Sequence, residues 1–162
     1  MKKKVRQGVW ETNSSSTHSI CIAKDVQPEL PKSIHFEFGE FGWEIDTLDS
    51  IANKASYLYT GLYGNERKED VAKMIQILQG KGIEVTKEDA LFAEGEKYAR
   101  NSGYVDHCDE LGAFLDAVMA DEKALINFLF SPLSFILTGN DNDEDDVDIN
   151  VDYAHDEYYK GN

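Results

Sequence analysis

The stretch "SIHFEFGEFGWEI", Ser33 to Ile45, carries the strongest fold signal in the chain. Large apolar side chains alternate with polar ones on both sides of a Gly-Glu pair, which is typical of strands with one buried face. Glycine in the first position of a two-residue turn suits a type II′ hairpin, so we predict paired strands over 33–38 and 41–45. Their apolar face requires cover by a helix; it comprises Ile34, Phe36, Phe38, Phe41, Trp43 and Ile45.

Helical periodicity follows this stretch. From a cap at Asp46 or Thr47 to Gly64, apolar residues recur at three- and four-residue spacing, which predicts a helix with one buried stripe. Three tyrosines accompany this stripe, and we expect them in the core rather than as a stacking platform for bases; they are Tyr57, Tyr59 and Tyr63. Further helices are predicted over 67–79, 86–100, 108–119 and 121–130.

Strands are predicted near both ends of the chain. They cover Val5–Trp10, Ser19–Ala23, Leu133–Thr138 and, in the tail, an alternating edge strand over 147–153, with one more short strand at 82–86. The predicted fold class is therefore α+β: a single domain whose mixed or antiparallel sheet, built from N- and C-terminal strands, packs against a central set of helices. We place the domain at 1–138 and an acidic C-terminal segment at 139–162.

The chain is strongly acidic, with 31 Asp and Glu residues against 16 Lys and Arg and a formal net charge of -15. Phosphate binding requires clustered Lys and Arg, which argues against direct nucleic-acid binding. Carboxylates attract basic surfaces instead. We predict contacts to a basic host protein, such as one that binds nucleic acid, through Asp141, Asp143, Glu144, Asp145, Asp146, Asp148, Asp152, Asp156 and Glu157.

Absent signals point to the cytoplasm. No apolar segment follows the basic start "MKKKVRQG", as it would in a signal peptide. The longest apolar run, 128–137, is too short to span a bilayer and contains a proline, so we expect no membrane association. Two distant cysteines, Cys21 and Cys108, do not make a disulfide framework.

The motifs favour a non-enzymatic protein without cofactor or metal. The tail string "DNDEDDVDINVD" imitates a calcium loop, but Asp146 stands where that loop requires a sharp-turn glycine. His18 and Cys21 have a zinc-like spacing, but the adjacent pair His107-Cys108 cannot readily supply the two remaining ligands. The chain contains no nucleophile elbow, phosphate loop or zinc-protease motif. We therefore predict no catalytic residue.

A polar loop near the start of the chain admits two interpretations. Its side chains can satisfy their own backbone as Asx and ST turns, or they can present donors to a nucleotide or phosphate, with basic residues nearby in sequence. Both interpretations concern the same residues: Asn13, Ser14, Ser15, Ser16, Thr17 and His18.

The string "RQGVWETNSSSTHSICI" around this loop resembles the N-terminal signature of uncharacterised small proteins of Firmicutes and of their phages and mobile elements, G-[VFT]-[FW]-E-T-N-S-S-S-[ST]-H-S. The resemblance implies a bacterial cytoplasm and a phage or mobile-element origin, and it assigns no functional residue. In that context an acidic protein is expected to bind a host protein, for instance as a nucleic-acid mimic that inhibits a host or defence factor. The phosphate-binding alternative and a homo-oligomer stay open.

Overall fold

The computed structural model describes residues 16–42, 44–106, 111–140 and 155–161. Within these residues it has eight strands and four helices. The strands are β1 (Ser16–Ala23), β2 (Ser33–Phe36), β3 (Glu40–Phe41), β4 (Asp46–Leu48), β5 (Glu84–Lys87), β6 (Tyr104–Val105), β7 (Phe135–Asn140) and β8 (Asp156–Gly161). The helices are α1 (Ile51–Gly64), α2 (Lys68–Gly80), α3 (Leu111–Ala120) and α4 (Glu122–Phe130).

Four antiparallel strands form the main sheet in the order β4-β7-β1-β8. Ile20 of β1 pairs with Ile136 of β7 on one side and with Tyr159 of β8 on the other. Ile20 and Ile22 lie on the same side of β1 and join the core formed with the helices. N- and C-terminal strands thus share one antiparallel sheet against a helical layer, and the predicted α+β class is confirmed.

The predicted hairpin of 33–38 and 41–45 is wrong. β2 pairs in parallel with β5, and β3 pairs in parallel with β6. The alternation itself was predicted correctly in β2, where Ile34 and Phe36 are buried and His35 is exposed. No turn forms between the two strands because the backbone amides there have other partners: that of Phe38 donates to a carboxylate oxygen of Glu88 at 2.9 Å, and that of Gly39 to the Thr60 hydroxyl at 3.0 Å.

The helices near 47–64, 67–79, 108–119 and 121–130 are observed as α1 to α4. The start of α1 differs from the prediction, because residues 46–48 pair with β7 as strand β4. Ser50 caps the helix instead, its hydroxyl accepting from the amide of Asn53 at 3.1 Å. Tyr57 and Tyr59 have no solvent exposure, so the core assignment of these two rings is confirmed.

The helix predicted over 86–100 is absent from the structure. Residues 88–103 form an irregular loop that contains no helical turn of α type. Gly95 has a φ of 77°, which a right-handed helix does not allow. The side chain of Asn101 holds the loop by accepting from the amide of Leu91 at 2.9 Å and donating to the carboxylate of Glu88 at 3.1 Å, and these long-range bonds replace the helical ones.

Strands near the ends of the chain differ from their predicted bounds. β7 is shifted towards the C-terminus relative to 133–138, and β1 begins at Ser16 rather than at Ser19. The strands predicted over 5–10 and 147–153 lie outside the described residues. β8 was not predicted, and it shows that the segment 139–162 contributes a strand to the main sheet through pairs such as Cys21 with Tyr158.

Candidate functional site

Ser16, Thr17 and His18 belong to strand β1 and not to a loop, which corrects the predicted start of that strand. Their backbone lies in register with Asn140, Gly139 and Thr138 of β7. Ser16 and His18 have no solvent exposure, and the Ser16 hydroxyl has no hydrogen-bond partner among the described residues. These residues are therefore held in the sheet, and Asn13, Ser14 and Ser15 lie outside the described residues.

His18 joins β1 to two other parts of the fold. Its Nδ1 lies 2.8 Å from the Tyr57 hydroxyl of α1, and its Nε2 lies 3.2 Å from the carbonyl oxygen of Gly42. Because a carbonyl only accepts, Nε2 carries the proton of the neutral ring and Nδ1 accepts from Tyr57. Burial lowers the pKa of His18, against the opposing effects of the Gly42 hydrogen bond and the Asp106 charge. The neutral ring thus links the backbone of Gly42 to Tyr57 in the core by hydrogen bonds.

Lys54 is a second basic side chain without solvent exposure. Its Nζ donates to the carbonyl oxygens of Ser131 at 2.6 Å and Ser134 at 3.0 Å, which ties α1 to the connection between α4 and β7. Burial lowers its pKa to about 8, while the charge of Asp49 opposes this change. The sequence contained a signal for this position, since Lys54 lies four residues before Leu58 in the apolar stripe of the helix.

The charged residues of the segment between β2 and α1 are all acidic. Residues 37–49, which we term the acidic surface, contain no lysine or arginine. Five carboxylates of this segment are exposed to solvent; they are Glu37, Glu40, Glu44, Asp46 and Asp49. The nearest following cation, Lys54, is buried and directed away from solvent. None of these five carboxylates is among the contact residues predicted from the sequence, which all lie in the tail.

Three carboxylate residues of the acidic surface are held in place by strand pairing or by a hydrogen bond to their backbone. Glu40 lies in β3 in register with Tyr104 of β6. The hydroxyl of Thr138 donates to the carbonyl oxygen of Glu44 at 2.7 Å, and Asp46 is in register with the same threonine. The parallel β3–β6 pair and the edge of the main sheet thereby bring side chains from distant parts of the chain around Tyr104.

Tyr104 lines three cavities, with volumes of about 430, 280 and 220 Å³. Its side chain is 45% exposed. A close approach of two chain segments places it there: Gly103 has a φ of 60°, and a Cβ at this position would overlap the carbonyl oxygen of Gly39. The amide of Tyr104 donates to that same oxygen at 3.1 Å. The glycine pair therefore determines the position of the ring.

The smallest of these cavities is acidic. Its charged lining residues are Glu40, Glu44 and Asp46, and its other lining residues are Phe41, Gly42, Leu48, Asn53, Tyr104 and Thr138. Burial, followed by the charges of Glu40, Asp106 and Glu44, raises the pKa of Tyr104. The phenol therefore stays protonated at neutral pH in a negative local potential. His18 borders this region through its hydrogen bond to Gly42.

The predicted tail site is described only in part. Asp156 and Glu157 lie in β8, whereas the predicted contact residues between Asp141 and Asp152 lie outside the described residues. Cys21 of the neighbouring strand is buried, and burial with the nearby Asp156 carboxylate raises the pKa of its thiol to about 12. Such a thiol is a poor nucleophile at neutral pH.

Neither a metal cluster nor a membrane helix is found in the part of the chain that the structure describes. No group of three or more His, Cys, Asp and Glu side chains there is arranged to hold a metal ion. The helices of the described ranges are too short or too polar to cross a bilayer. Comparison of the chain with protein-family models, curated proteins and solved structures found no match.

Proposed function

We propose that this protein is a non-enzymatic interaction module that binds a basic partner protein through its carboxylates. The observation that carries the proposal is the acidic surface, where five exposed carboxylates occur without a lysine or arginine between residues 37 and 49. Like charges held together in this way repel each other, and a basic partner relieves that repulsion on binding. The carboxylates of the C-terminal segment extend the same chemistry, as the sequence predicts.

The partner we propose is a nucleic-acid-binding protein of the host or of a defence system. Such proteins carry clustered Lys and Arg that hold phosphates, and carboxylates at comparable positions compete for them. This role as an inhibitor agrees with the phage or mobile-element origin that the N-terminal signature implies. The described residues do not favour the phosphate-binding alternative, because Ser16 and His18 are buried within β1.

The experiment uses the purified full-length chain as bait for a bacterial lysate, followed by identification and purification of each captured protein. Binding constants are then measured with the purified partner at about 0.1 M and about 0.5 M salt, between which the Debye length falls roughly twofold. We expect the captured proteins to be basic and nucleic-acid-binding, the affinity to fall with salt, and a DNA duplex to compete with the protein. Capture that is insensitive to salt and to DNA would contradict the proposal.

Matched charge variants assign the contact surface. The test variant carries Glu40→Gln, Glu44→Gln and Asp46→Asn, and the control variant carries Glu69→Gln, Glu84→Gln and Glu94→Gln, three exposed carboxylates outside the acidic surface. Both variants lose the same net charge. We expect the test variant to bind the partner at least about threefold more weakly than the control, since each exposed ion pair contributes about 0.2–1 kcal/mol. Equal losses would mean that only net charge matters.

A further inference from the structure

The cavity of about 220 Å³ beside Tyr104 has the chemistry of a binding site for a cationic side chain. Every charged residue in its lining is acidic. In the described part of the chain, none of these three carboxylates, Glu40, Glu44 and Asp46, forms an ion pair with a lysine, arginine or histidine. Elsewhere in the described residues, Glu66, Asp89 and Glu96 do form such pairs with nearby cations. Within the described residues, the cavity therefore offers negative charge without a paired cation at a concave position.

Tyr104 adds an aromatic surface to this charge. The ring is 45% exposed and lines the cavity beside Gly42. Because residue 42 has no side chain, the ring lies close to the backbone: a Cβ added there would contact ring atom Cε2 at 3.8 Å. An aromatic face within a negative potential attracts cations more strongly than either feature alone. Two independent features of the site thus favour the same class of ligand.

Resting on the proposed function, we infer that this cavity receives an arginine side chain of the basic partner. The guanidinium group is planar, so it can stack on the exposed face of Tyr104 while its five donors meet carboxylate oxygens of the lining. A lysine ammonium is a more strongly hydrated point charge and uses the ring less well. The cavity then holds the arginine side chain of the partner, and the other carboxylates of the acidic surface attract the basic partner over longer distances.

The test titrates the 15N-labelled full-length protein with three short peptides that differ in one side chain. Each peptide carries arginine, lysine or the neutral isostere citrulline between two glycines, with blocked ends. We expect saturable shifts of the amide signals of residues 40–46 and 104 with the arginine peptide, and weaker affinity by at least about threefold with the lysine peptide. The citrulline peptide should leave these signals unchanged. Equal shifts with citrulline would overturn the inference.

Variants locate the contact. Tyr104→Ala should weaken binding of the arginine peptide about threefold, and Tyr104→Phe, which keeps the ring, should bind like the wild type. Glu44→Gln with Asp46→Asn should weaken it about fivefold, whereas the matched control Glu84→Gln with Glu94→Gln should not. If Tyr104→Ala does not fold, the phenylalanine and charge variants still decide, because unchanged binding by the charge variant would refute a site at this cavity.

The two proposals fail in different ways. If the protein captures a basic partner but the Tyr104 and Glu44/Asp46 variants bind that partner and the arginine peptide as the wild type does, the cavity inference is wrong and the proposed function stands. If the arginine peptide binds at residues 40–46 but no basic protein is captured under any salt condition, the proposed function is wrong and the cavity remains a guanidinium site.

Discussion

Substitution of Lys54 by methionine tests how much the buried hydrogen bonds of this side chain contribute to stability. Lys54 has no solvent exposure, and its amine donates to the carbonyl oxygens of Ser131 and Ser134. Methionine preserves much of the side-chain volume but leaves these carbonyls without the amine donor. We expect the variant to lose about 1–3 kcal/mol of unfolding free energy at pH 7, the cost of unmaking buried hydrogen bonds.

The pH dependence gives a sharper magnitude. The pKa of Lys54 falls from its ordinary value of 10.5 to about 8 in the folded protein. Between these pH values the unfolded chain keeps the lysine proton and the folded protein loses it, so stability rises with pH. The neutral amine still has two N–H donors for its two carbonyl partners. Over this pH range the free energy of unfolding should rise by at most about 3 kcal/mol through the deprotonation of Lys54.

Urea denaturation of both proteins from pH 7 to about pH 10.5 measures this difference. Other groups that titrate in this range, Cys21 among them, are present in both proteins, so their effects cancel in the comparison. We expect the stability difference between wild type and Lys54→Met to widen as pH rises through 8, by an amount of the order of 2–3 kcal/mol. Parallel pH profiles would refute the claim that Lys54 is buried with a lowered pKa.

Two further predictions concern backbone and core positions around the site. Burial lowers the pKa of His18, so as pH falls below the ordinary value of 6.5 the unfolded chain takes up the proton first and the stability of the fold decreases. His18→Phe should therefore reduce the dependence of stability on pH in the acid range, measured by urea denaturation. An unchanged dependence would rule out His18 as its source. Gly103→Ala should cost more than about 2 kcal/mol, because φ is positive and a Cβ would overlap the Gly39 carbonyl oxygen. Gly95→Ala, with positive φ but open space around the Cβ, should lower the free energy of unfolding by only about 1 kcal/mol. Equal losses of unfolding free energy in the two variants, measured by thermal or urea unfolding, would show that the overlap at residue 103 is relieved.

Local sequence patterns predicted the helices and the burial of individual side chains. Three- and four-residue periodicity located α1 and α2, and a two-residue period predicted which side of β2 faces the core. These patterns succeed because they depend on the repeat of a single element and on the removal of its apolar side from water. The same periodicity gave a wrong helix over 86–100, because the side-chain hydrogen bond between Glu88 and Asn101 holds the two ends of an irregular loop together there.

The candidate site shows the same division between local and long-range information. The carboxylates of residues 37–49 are visible in the printed sequence, but nothing near them in sequence points to Tyr104. Their meeting depends on the parallel pairing of β3 with β6 and on the contact of Gly39 with Gly103. Such pairs are selected by the packing of the whole chain, because a strand's alternation specifies its buried side but not its partner.

Composition and periodicity thus account for the acidity, the α+β class and four helices of this protein. The fold alone places His18 of the N-terminal signature inside the sheet, where its ring holds Gly42 at the edge of the acidic cavity. It also turns an expected hairpin into two parallel pairs, which carry Glu40 and Tyr104 to the same place. The physical reason is that burial of a side chain is a local preference, whereas the choice of its neighbours minimises the free energy of the entire core.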